Sequence, residues 1–254
     1  MLLALPPGSS MSVMDWNGRT TLGDGWAVYE GPVADARPHR HLAIQLAIGL
    51  KESIAITGDR GTVVGPAVLV RAGTRHRLAP VPGAVRLVFV EVDSPIGQVW
   101  RSATVDDDIL QAPAGLAREL RVSEDAAAAM DRLSGACPKR VLDDRLACAL
   151  AALAENPGGS GAIARAAMTA RVSVSCLRAL AAEALAAPLA QWRQWRMLLQ
   201  AARVIAAGQS LAKAAAEAGF SDQAHLSRTM GRFFGITPSV AATSLRRDHG
   251  LRAV

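Results

Sequence analysis

Cysteine is scarce in this chain, and that scarcity limits the class of protein. The 254 residues include three cysteines, Cys137, Cys148 and Cys176, and no two of them form a CxxC pair. An odd, isolated set excludes a disulfide scaffold and a zinc finger, and it predicts reduced thiols. The opening residues, MLLALPP, lack a basic segment and have only a short apolar run, so we expect neither a secretory signal nor a membrane span there. We therefore predict a cytoplasmic protein.

Acidic residues are also scarce, but only in the C-terminal part. Residues 160–254 contain 12 Lys or Arg and only 4 Asp or Glu, a net charge of +8. Residues 1–159 contain 16 basic and 18 acidic residues, a net charge of −2. A compact basic segment joined to a near-neutral one indicates a polyanionic partner, which is either nucleic acid or an anionic membrane.

Sequence motifs of hydrolytic or phosphate chemistry are missing. The chain has no Ser-His-Asp order, no glycine-rich phosphate loop and no paired carboxylates of the catalytic kind. The acidic run at residues 106–108 is typical of a solvated turn or a helix start. We therefore predict no catalytic residue, no cofactor and no enzymatic activity.

The sequence pattern divides the chain into four segments. Residues 1–18 are expected to be a disordered tail. Residues 19–105 contain short apolar stretches between Gly, Pro and charged turns roughly every ten residues, which predicts a small antiparallel barrel or sandwich. Residues 106–155 are Ala- and Leu-rich with helical periodicity and are expected to be a helical connector. Residues 156–254 begin with the linker-like ENPGGSG and are predicted to be all-α. The predicted fold class is α+β.

One apolar stripe in the connector needs a partner. Leu142, Leu146, Leu150 and Leu153 recur at helical spacing, so they share one face of a helix. An amphipathic helix must bury that face against another surface. Two hypotheses remain open: a second subunit, which would give a homodimer, or the barrel of the same chain.

The basic C-terminal part contains two similar helix-turn-helix units. In the first, Ser173 is expected to cap a helix that buries Leu177. In the second, Gly219 permits a tight turn, and Ser221 is expected to cap the following helix. A continuous helix predicted for residues 189–206 joins the two units and spans about 27 Å. Two such units can place their second helices in successive major-groove segments, about 34 Å apart on one face of DNA.

The stretch GFSDQAHLSRTMGRFFGITPS, residues 219–239, resembles the signature of the AraC/XylS family of transcription regulators. The resemblance extends back through WRQWRMLLQAARVI and VSVSCLRAL and covers residues 156–245. It implies a double helix-turn-helix domain that binds double-stranded promoter DNA, and RNA polymerase as a further partner if the protein is an activator. No membrane partner is implied. By position, the DNA-binding residues would be Val174, Ser175, Arg178 and Ala179 in the first recognition helix, and Gln223, Ala224, Ser227, Arg228 and Arg232 in the second.

The chemistry of these side chains suggests different roles. Arg178 and Arg228 can each form a bidentate pair with guanine, and Gln223 can do the same with adenine. Arg232 is expected to contact phosphate. For the exposed arginines the alternative is a solvated charge or an intramolecular ion pair, and this also applies to Arg193 and to Arg196 on the connecting helix.

Three histidines mark the N-terminal segment as the candidate sensor. His39 and His41 are two residues apart on a predicted strand and therefore point to the same face, which Gln45 shares if the strand stays regular. His76 ends a second stretch that follows Gly73. The pattern resembles the cupin double motif, with Gln45 in place of the usual carboxylate, and implies a cupin-like β-barrel. Three hypotheses remain open: a polar effector pocket, structural histidines, or a metal held by His39, His41 and His76.

Together these features predict a sequence-specific transcription regulator, activator or repressor. A small-molecule effector bound in the barrel, at His39, His41, Gln45 and His76, is expected to control it. Two alternatives stay open. The chain is a metal-dependent cupin enzyme if the barrel is catalytic, or a DNA-binding protein without a ligand if the barrel interior is filled by side chains.

Overall fold

The computed structural model describes residues 16–34, 36–104, 107–138, 142–185 and 187–245. Residues 1–15, most of the predicted tail, lie outside this part of the chain. Nine strands occur in the described residues: β1 (Arg19–Leu22), β2 (Trp26–Val33), β3 (Ala43–Gly49), β4 (Ile54–Gly58), β5 (Gly61–Gly65), β6 (Ala67–Val70), β7 (His76–Leu78), β8 (Val81–Glu91) and β9 (Ile109–Gln111).

The strands form two antiparallel sheets. The larger has the order β1-β2-β8-β3-β6-β9, and the smaller has the order β5-β4-β7. Ile54, Ile56 and Leu78 of the small sheet share one apolar core with Val70 and Leu87 of the large sheet. The predicted antiparallel β domain is confirmed, and apolar side chains of both sheets pack together between them.

Three helices cover the outer face of the large sheet: α1 (Pro95–Ser102), α2 (Ala114–Val122) and α3 (Ala126–Ala136). All seven residues of β3 are buried, because one face of this strand meets the small sheet and the other meets these helices. The segment 106–155, predicted to be entirely helical, contains one strand. It contains β9, which pairs with β6, so its first half belongs to the N-terminal domain.

The remaining helices form the C-terminal domain. They are α4 (Asp144–Glu155), α5 (Ala162–Thr169), α6 (Val174–Leu185), α7 (Leu189–Ala206), α8 (Leu211–Glu217), α9 (Gln223–Phe234) and α10 (Pro238–Leu245). The helix predicted for 189–206 is confirmed at both ends. No helix in the described residues has the length and the hydropathy that a membrane crossing requires.

The leucine stripe is buried in the C-terminal domain. Leu146, Leu150 and Leu153 of α4 belong to the core that α5, α6 and α7 also form. Both predicted partners, a second subunit and the barrel, are therefore wrong for this stripe. The physical reason is proximity, since the segment after α4 is short and the apolar faces of α5 and α6 are the nearest surfaces. The helical domain thus begins with α4 rather than at residue 156.

The linker-like segment at 155–161 is packed. Pro157 and Gly158 are buried, and Gly158 lies directly against Gly219 in the turn between α8 and α9. Arg193 of α7 donates hydrogen bonds to the carbonyl oxygens of Pro157 and Gly159. This contact of two glycines fixes α4 and α5 against the second helix-turn-helix unit.

Side-chain caps set the starts of both recognition helices. The predicted cap of α6 is confirmed, because the Ser173 hydroxyl accepts from the Cys176 amide at 3.1 Å. The predicted cap of α9 is wrong. Asp222 rather than Ser221 caps this helix, accepting from the His225 amide at 2.6 Å, and that hydrogen bond lowers the pKa of Asp222. Both residue types are good N-caps, and Asp222 is the one adjacent to the first helical residue.

Candidate functional site

The first recognition helix presents its predicted DNA-binding residues to solvent. Ser175, Arg178 and Ala179 are exposed and Val174 is half-buried, all within the first two turns of α6. Leu177 and others on the opposite face are fully buried, and this packing fixes the orientation of the helix. The structure therefore places the four predicted residues on the exposed side of α6.

The second recognition helix likewise has one exposed face and one buried face. Gln223, Ala224 and Arg228 of α9 are exposed, while Ser227 is half-buried and donates to the Gln223 carbonyl at 2.9 Å. The inward face consists of Leu226, Met230 and Phe233, which are all buried.

Arg232 is exposed but already has partners. One of its Nη atoms donates to Gln194 Oε1 at 2.9 Å, and its guanidinium lies 5.4 Å from the centre of the Phe233 ring. A guanidinium has five N–H donors, so a phosphate contact is compatible with the bond to Gln194. The bond fixes Arg232 relative to α7.

Arg193 and Arg196 of α7 both have partners within the chain. Arg196 forms an ion pair with Glu91, at the end of β8, with both carboxylate oxygens 3.0 Å from Arg196 Nη1. The ion-pair alternative is therefore confirmed for Arg196. Trp195 Nε1 donates to the same carboxylate at 3.0 Å, and Trp192 Nε1 donates to Asp93 at 3.0 Å. We call this set of contacts the interdomain clasp.

The interdomain clasp is buried. Desolvation raises the pKa of both Glu91 and Asp93, while Arg196 and the indole donors act in the opposite direction. Sequence reasoning missed these two acids. The available signal was a carboxylate inside the apolar run VRLVFVEV, because such a residue needs a buried partner.

The four predicted sensor residues come together in one buried cluster, which we call the histidine cluster. His39, His41, Gln45 and His76 are each at most 8% exposed. The backbones of His39 and His76 pair in an antiparallel bridge, with N···O distances of 3.0 and 2.9 Å. Gln45 Oε1 lies 2.8 Å from His41 Nε2 and 3.1 Å from His76 Nε2. The two sequence motifs therefore meet as the cupin-like pattern implied.

Each histidine is oriented by a backbone carbonyl. The Nδ1 atoms of His39, His41 and His76 lie 2.8–2.9 Å from the carbonyl oxygens of Arg37, Ala43 and Thr74, respectively. A carbonyl oxygen only accepts, so each Nδ1 carries a hydrogen, and in a neutral ring Nε2 then has a free lone pair. Burial lowers the pKa of all three, to about 4 for His41 and about 2 for His76, and the neighbouring rings lower those two further. All three rings are therefore neutral near pH 7.

We expect the rings of His41 and His76 to stay neutral when the solution is acidified to about pH 5. The measurement uses protein treated with a chelator, so that no metal ion competes with protons for the rings. An unfolded histidine has a pKa near 6.5, so below that pH the unfolded chain binds protons that the native rings do not. Stability contributed by these rings is complete above about pH 6.5 and declines, by at most about 1.4 kcal/mol per pH unit for each ring, as pH falls towards the native pKa values. Histidine ring resonances followed by NMR between about pH 7.5 and pH 5 test this directly. A mid-point near 6.5 for either ring would contradict it.

A cavity of about 140 Å³ lies between the large sheet and the C-terminal domain. Its walls are mainly apolar and come from both domains, including Trp26, Leu87 and Phe89 on one side and Leu198 and Phe234 on the other. The polar side chains in its lining include His39, Gln45, Glu91 and Arg203. The cavity thus borders both the histidine cluster and the interdomain clasp.

The C-terminal domain matches a known family. A family model described as a helix-turn-helix domain matches residues 166–243, which contain α6 and α9. This match confirms the predicted helix-turn-helix domain in the C-terminal part of the chain. No curated protein matches the chain.

Solved structures of ToxT from Vibrio cholerae share the fold. An apo ToxT variant has a TM-score of 0.58 at 11% identity, covering 89% of this chain and 100% of that chain. Wild-type ToxT with a bound unsaturated fatty acid has a TM-score of 0.56 at 12% identity, covering 92% and 99%. ToxT with bound (E)-4-(8-methylnaphthalen-1-yl)but-3-enoic acid has a TM-score of 0.55 at 11% identity, covering 90% and 99%. At this identity the likeness shows the fold alone, a β domain followed by a double helix-turn-helix domain.

Proposed function

We propose that this protein is a transcription regulator of the AraC type that binds promoter DNA and responds to a small-molecule effector. The proposal rests on the arrangement of residues on α6 and α9. Each helix buries an apolar face, and each exposes the residues assigned to bases: Arg178 on α6, and Gln223 and Arg228 on α9. They belong to a segment with a net charge of +8, which supplies the attraction to phosphate.

Replacing Arg228 with alanine is expected to weaken binding to the selected DNA site by about 1–3 kcal/mol and to relax base preference at one position. A bidentate arginine–guanine pair discriminates between bases, whereas a phosphate contact does not. The matched control is Arg132→Ala, which removes an exposed arginine from α3 in the N-terminal domain. Equal, sequence-independent weakening by both variants would contradict the assignment of Arg228 to a base.

The DNA experiments require the full chain. A fragment that begins at residue 156 lacks α4 and with it Leu146, Leu150 and Leu153, which belong to the core of the helical domain. Selection from a random duplex pool, repeated at several salt concentrations, is expected to enrich two short elements about one helical turn apart. Salt-sensitive binding without enrichment would leave a basic surface that does not read sequence, and the proposal would fail.

The sequence predicts an effector at His39, His41, Gln45 and His76; we propose instead that it binds in the adjoining cavity between the domains, which His39 and Gln45 line. ToxT has been crystallised with an unsaturated fatty acid and with a naphthalenyl butenoic acid, which supports a ligand site in this fold. Here the cavity of about 140 Å³ is close to the volume of about 150 Å³ that accommodates benzene. An apolar molecule of about that size is therefore the effector class, with Arg203 as the cation available to an acidic group. Because the walls come from both domains, a bound effector would favour one domain arrangement, and the usual coupling is about 1–3 kcal/mol.

Filling the cavity is expected to weaken the effector response. Ala202 of α7 lines the cavity and is half-buried, so Ala202→Leu places three more carbon atoms there and weakens ligand binding by about 1–3 kcal/mol. The control is Ala207→Leu, at an exposed position after the same helix. Benzoate, indole and related ring-sized probes can be titrated against tryptophan fluorescence, because Trp16, Trp26 and Trp195 line the cavity. Equal responses from both variants would contradict this location.

Several further assignments remain predictions. We expect the protein in the cytoplasm, without catalytic activity, and in contact with RNA polymerase if it activates transcription. A homodimer also remains predicted, but it needs a surface other than the leucine stripe of α4, which is buried. The cavity lies between the two domains rather than between the two sheets, and its presence favours a ligand-controlled regulator over a DNA-binding protein without a ligand.

A further inference from the structure

We propose that Arg171, in the turn that precedes the first recognition helix, binds a phosphate of the DNA backbone beside the major groove. The first helix-turn-helix unit then contributes affinity for any DNA sequence, while the second unit contributes most of the base preference. This inference deepens the proposed function and rests on it, because it names a further residue of the same DNA-binding surface.

Arg171 holds a backbone conformation that residues with a side chain rarely adopt. Its φ is +54°, and it is the one non-glycine residue with a positive φ in the part of the chain that the structure describes. The left-handed region costs such a residue a factor of about 5–30 in the ratio of folded to unfolded protein. These conformations persist only where the surrounding structure enforces them, and they are concentrated at functional sites.

The turn that contains Arg171 has the same hydrogen bonds as the turn of the second unit. After α5, the Arg171 amide donates to the Met168 carbonyl at 3.0 Å, and the next amide donates to the Ala167 carbonyl at 3.0 Å. After α8, the Gly219 amide donates to the carbonyl three residues back at 3.1 Å, and the next amide donates to the carbonyl five residues back at 2.9 Å. Helices that end in this way usually have glycine at the left-handed position. Arg171 therefore corresponds to Gly219.

The fold does not require an arginine at this position. The Arg171 side chain is exposed, and within the described residues its guanidinium has neither a hydrogen bond nor an ion pair. Glycine adopts the left-handed region without steric cost, as Gly219 does in the second unit. A strained residue whose side chain contacts nothing in the chain is best explained by a partner outside it.

Arg171 lies beside the end of α6 that enters the major groove. It comes two residues before Ser173, whose hydroxyl caps α6 by accepting from the Cys176 amide at 3.1 Å. Helix-turn-helix units place the first residues of the recognition helix against base edges, so the preceding turn faces the phosphates that border the groove. The positive end of the helix dipole acts in the same direction as the guanidinium.

The two units differ in what they offer to bases. Of the residues assigned to DNA on α6, only Arg178 can form a bidentate pair with a base, whereas α9 offers both Gln223 and Arg228. An arginine in the first turn raises affinity without regard to sequence, because phosphate contacts carry no sequence information directly. In the second turn, the backbone of Gly158 occupies the space that a side chain on Gly219 would need. The phosphate contact is therefore possible in the first turn and not in the second.

Arg171→Gly separates a phosphate contact from a structural role, because stability and DNA affinity are expected to change in opposite directions. In urea unfolding of the full chain, the ratio of folded to unfolded protein is expected to rise, by up to about 30-fold. The affinity for the DNA site selected by the full chain is expected to fall roughly tenfold at about 0.1 M salt, with a salt slope smaller by about 1. An unrelated duplex of the same length is expected to show the same loss. A less stable Arg171→Gly would show that the arginine supports the fold, and it would overturn the proposal.

Two further variants separate the charge from the flexibility of glycine. Arg171→Lys keeps a charge that binds phosphate, so it is expected to retain the affinity and the salt slope of the natural chain. Arg171→Asn removes the charge but tolerates the left-handed region, so it is expected to bind DNA as weakly as Arg171→Gly. Unchanged DNA affinity in Arg171→Asn, or a loss in Arg171→Lys equal to that in Arg171→Gly, would overturn the phosphate contact.

The salt slope also keeps this test distinct from that of the proposed function. A natural chain that binds duplexes without selecting a sequence would overturn the proposed function. The smaller slope of Arg171→Gly on any duplex would still support the phosphate contact in that case. A natural chain that binds no duplex at all would overturn both.

Discussion

Replacing Gly219 with alanine is expected to destabilise the chain by about 2–5 kcal/mol and to remove specific DNA binding. Two effects add at this position. Gly219 has φ +79°, a conformation that costs an alanine about 1–2 kcal/mol. A new Cβ would also overlap the backbone of Gly158, where neither side can yield as a flexible side chain would. The turn between α8 and α9 would have to move away from the segment that follows α4.

Gly208→Ala is the matched control for the Gly219 prediction. Gly208 has φ +81°, nearly the same conformation, but no atom lies within 4 Å of its built Cβ. This variant is expected to lose only the conformational contribution, about 1–2 kcal/mol. Urea unfolding of both variants measures the difference. Equal losses would mean that the contact between Gly158 and Gly219 contributes nothing to stability.

Glu91→Gln is expected to lower the free energy of unfolding by about 3–5 kcal/mol. The amide keeps the shape and an oxygen for Trp195, but it leaves the Arg196 charge without its partner. The side chains of Glu91 and Arg196 are only 10% and 19% exposed, so water compensates little. The stacking of Arg196 on Trp192, 5.6 Å from the ring centre, places the expected loss at the lower end of this range.

A double-mutant cycle tests whether that loss comes from the ion pair. Arg196→Met in the Glu91→Gln background removes the unpaired charge and is expected to recover most of the lost stability, because replacing both members of a buried pair is often nearly neutral. Guanidinium or urea unfolding of the four proteins gives the coupling energy. If the double variant is as unstable as the sum of the single variants, the two charges do not act as a pair.

The helical domain was predictable because its signals are local. The bounds of α7, the Ser173 cap and the turn at Gly219 follow from periodicity, capping chemistry and a positive φ within a few residues. The wrong cap, Ser221 in place of Asp222, shows the limit of such signals. Two adjacent residues can both cap a helix, and the choice depends on where tertiary packing starts the first turn.

The sensor domain was predictable only in part. The convergence of His39, His41 and His76 follows from strand alternation together with the pairing of two motifs. The burial of α4, the interdomain cavity and the clasp were not predicted. Glu91 and Arg196 are 105 positions apart, and no local pattern encodes which distant surface a carboxylate will meet. Contacts of this kind require knowledge of how the two domains pack.

The cavity is built from segments that are synthesised at very different times. One wall is β2 and β8, and the opposite wall includes Leu245 at the end of α10. During translation the N-terminal domain emerges and folds first. Its apolar wall, with Trp26 and Phe89, is completely covered only after α7, α9 and α10 have been synthesised. An effector therefore has no complete site on the nascent chain until the helical domain has been made.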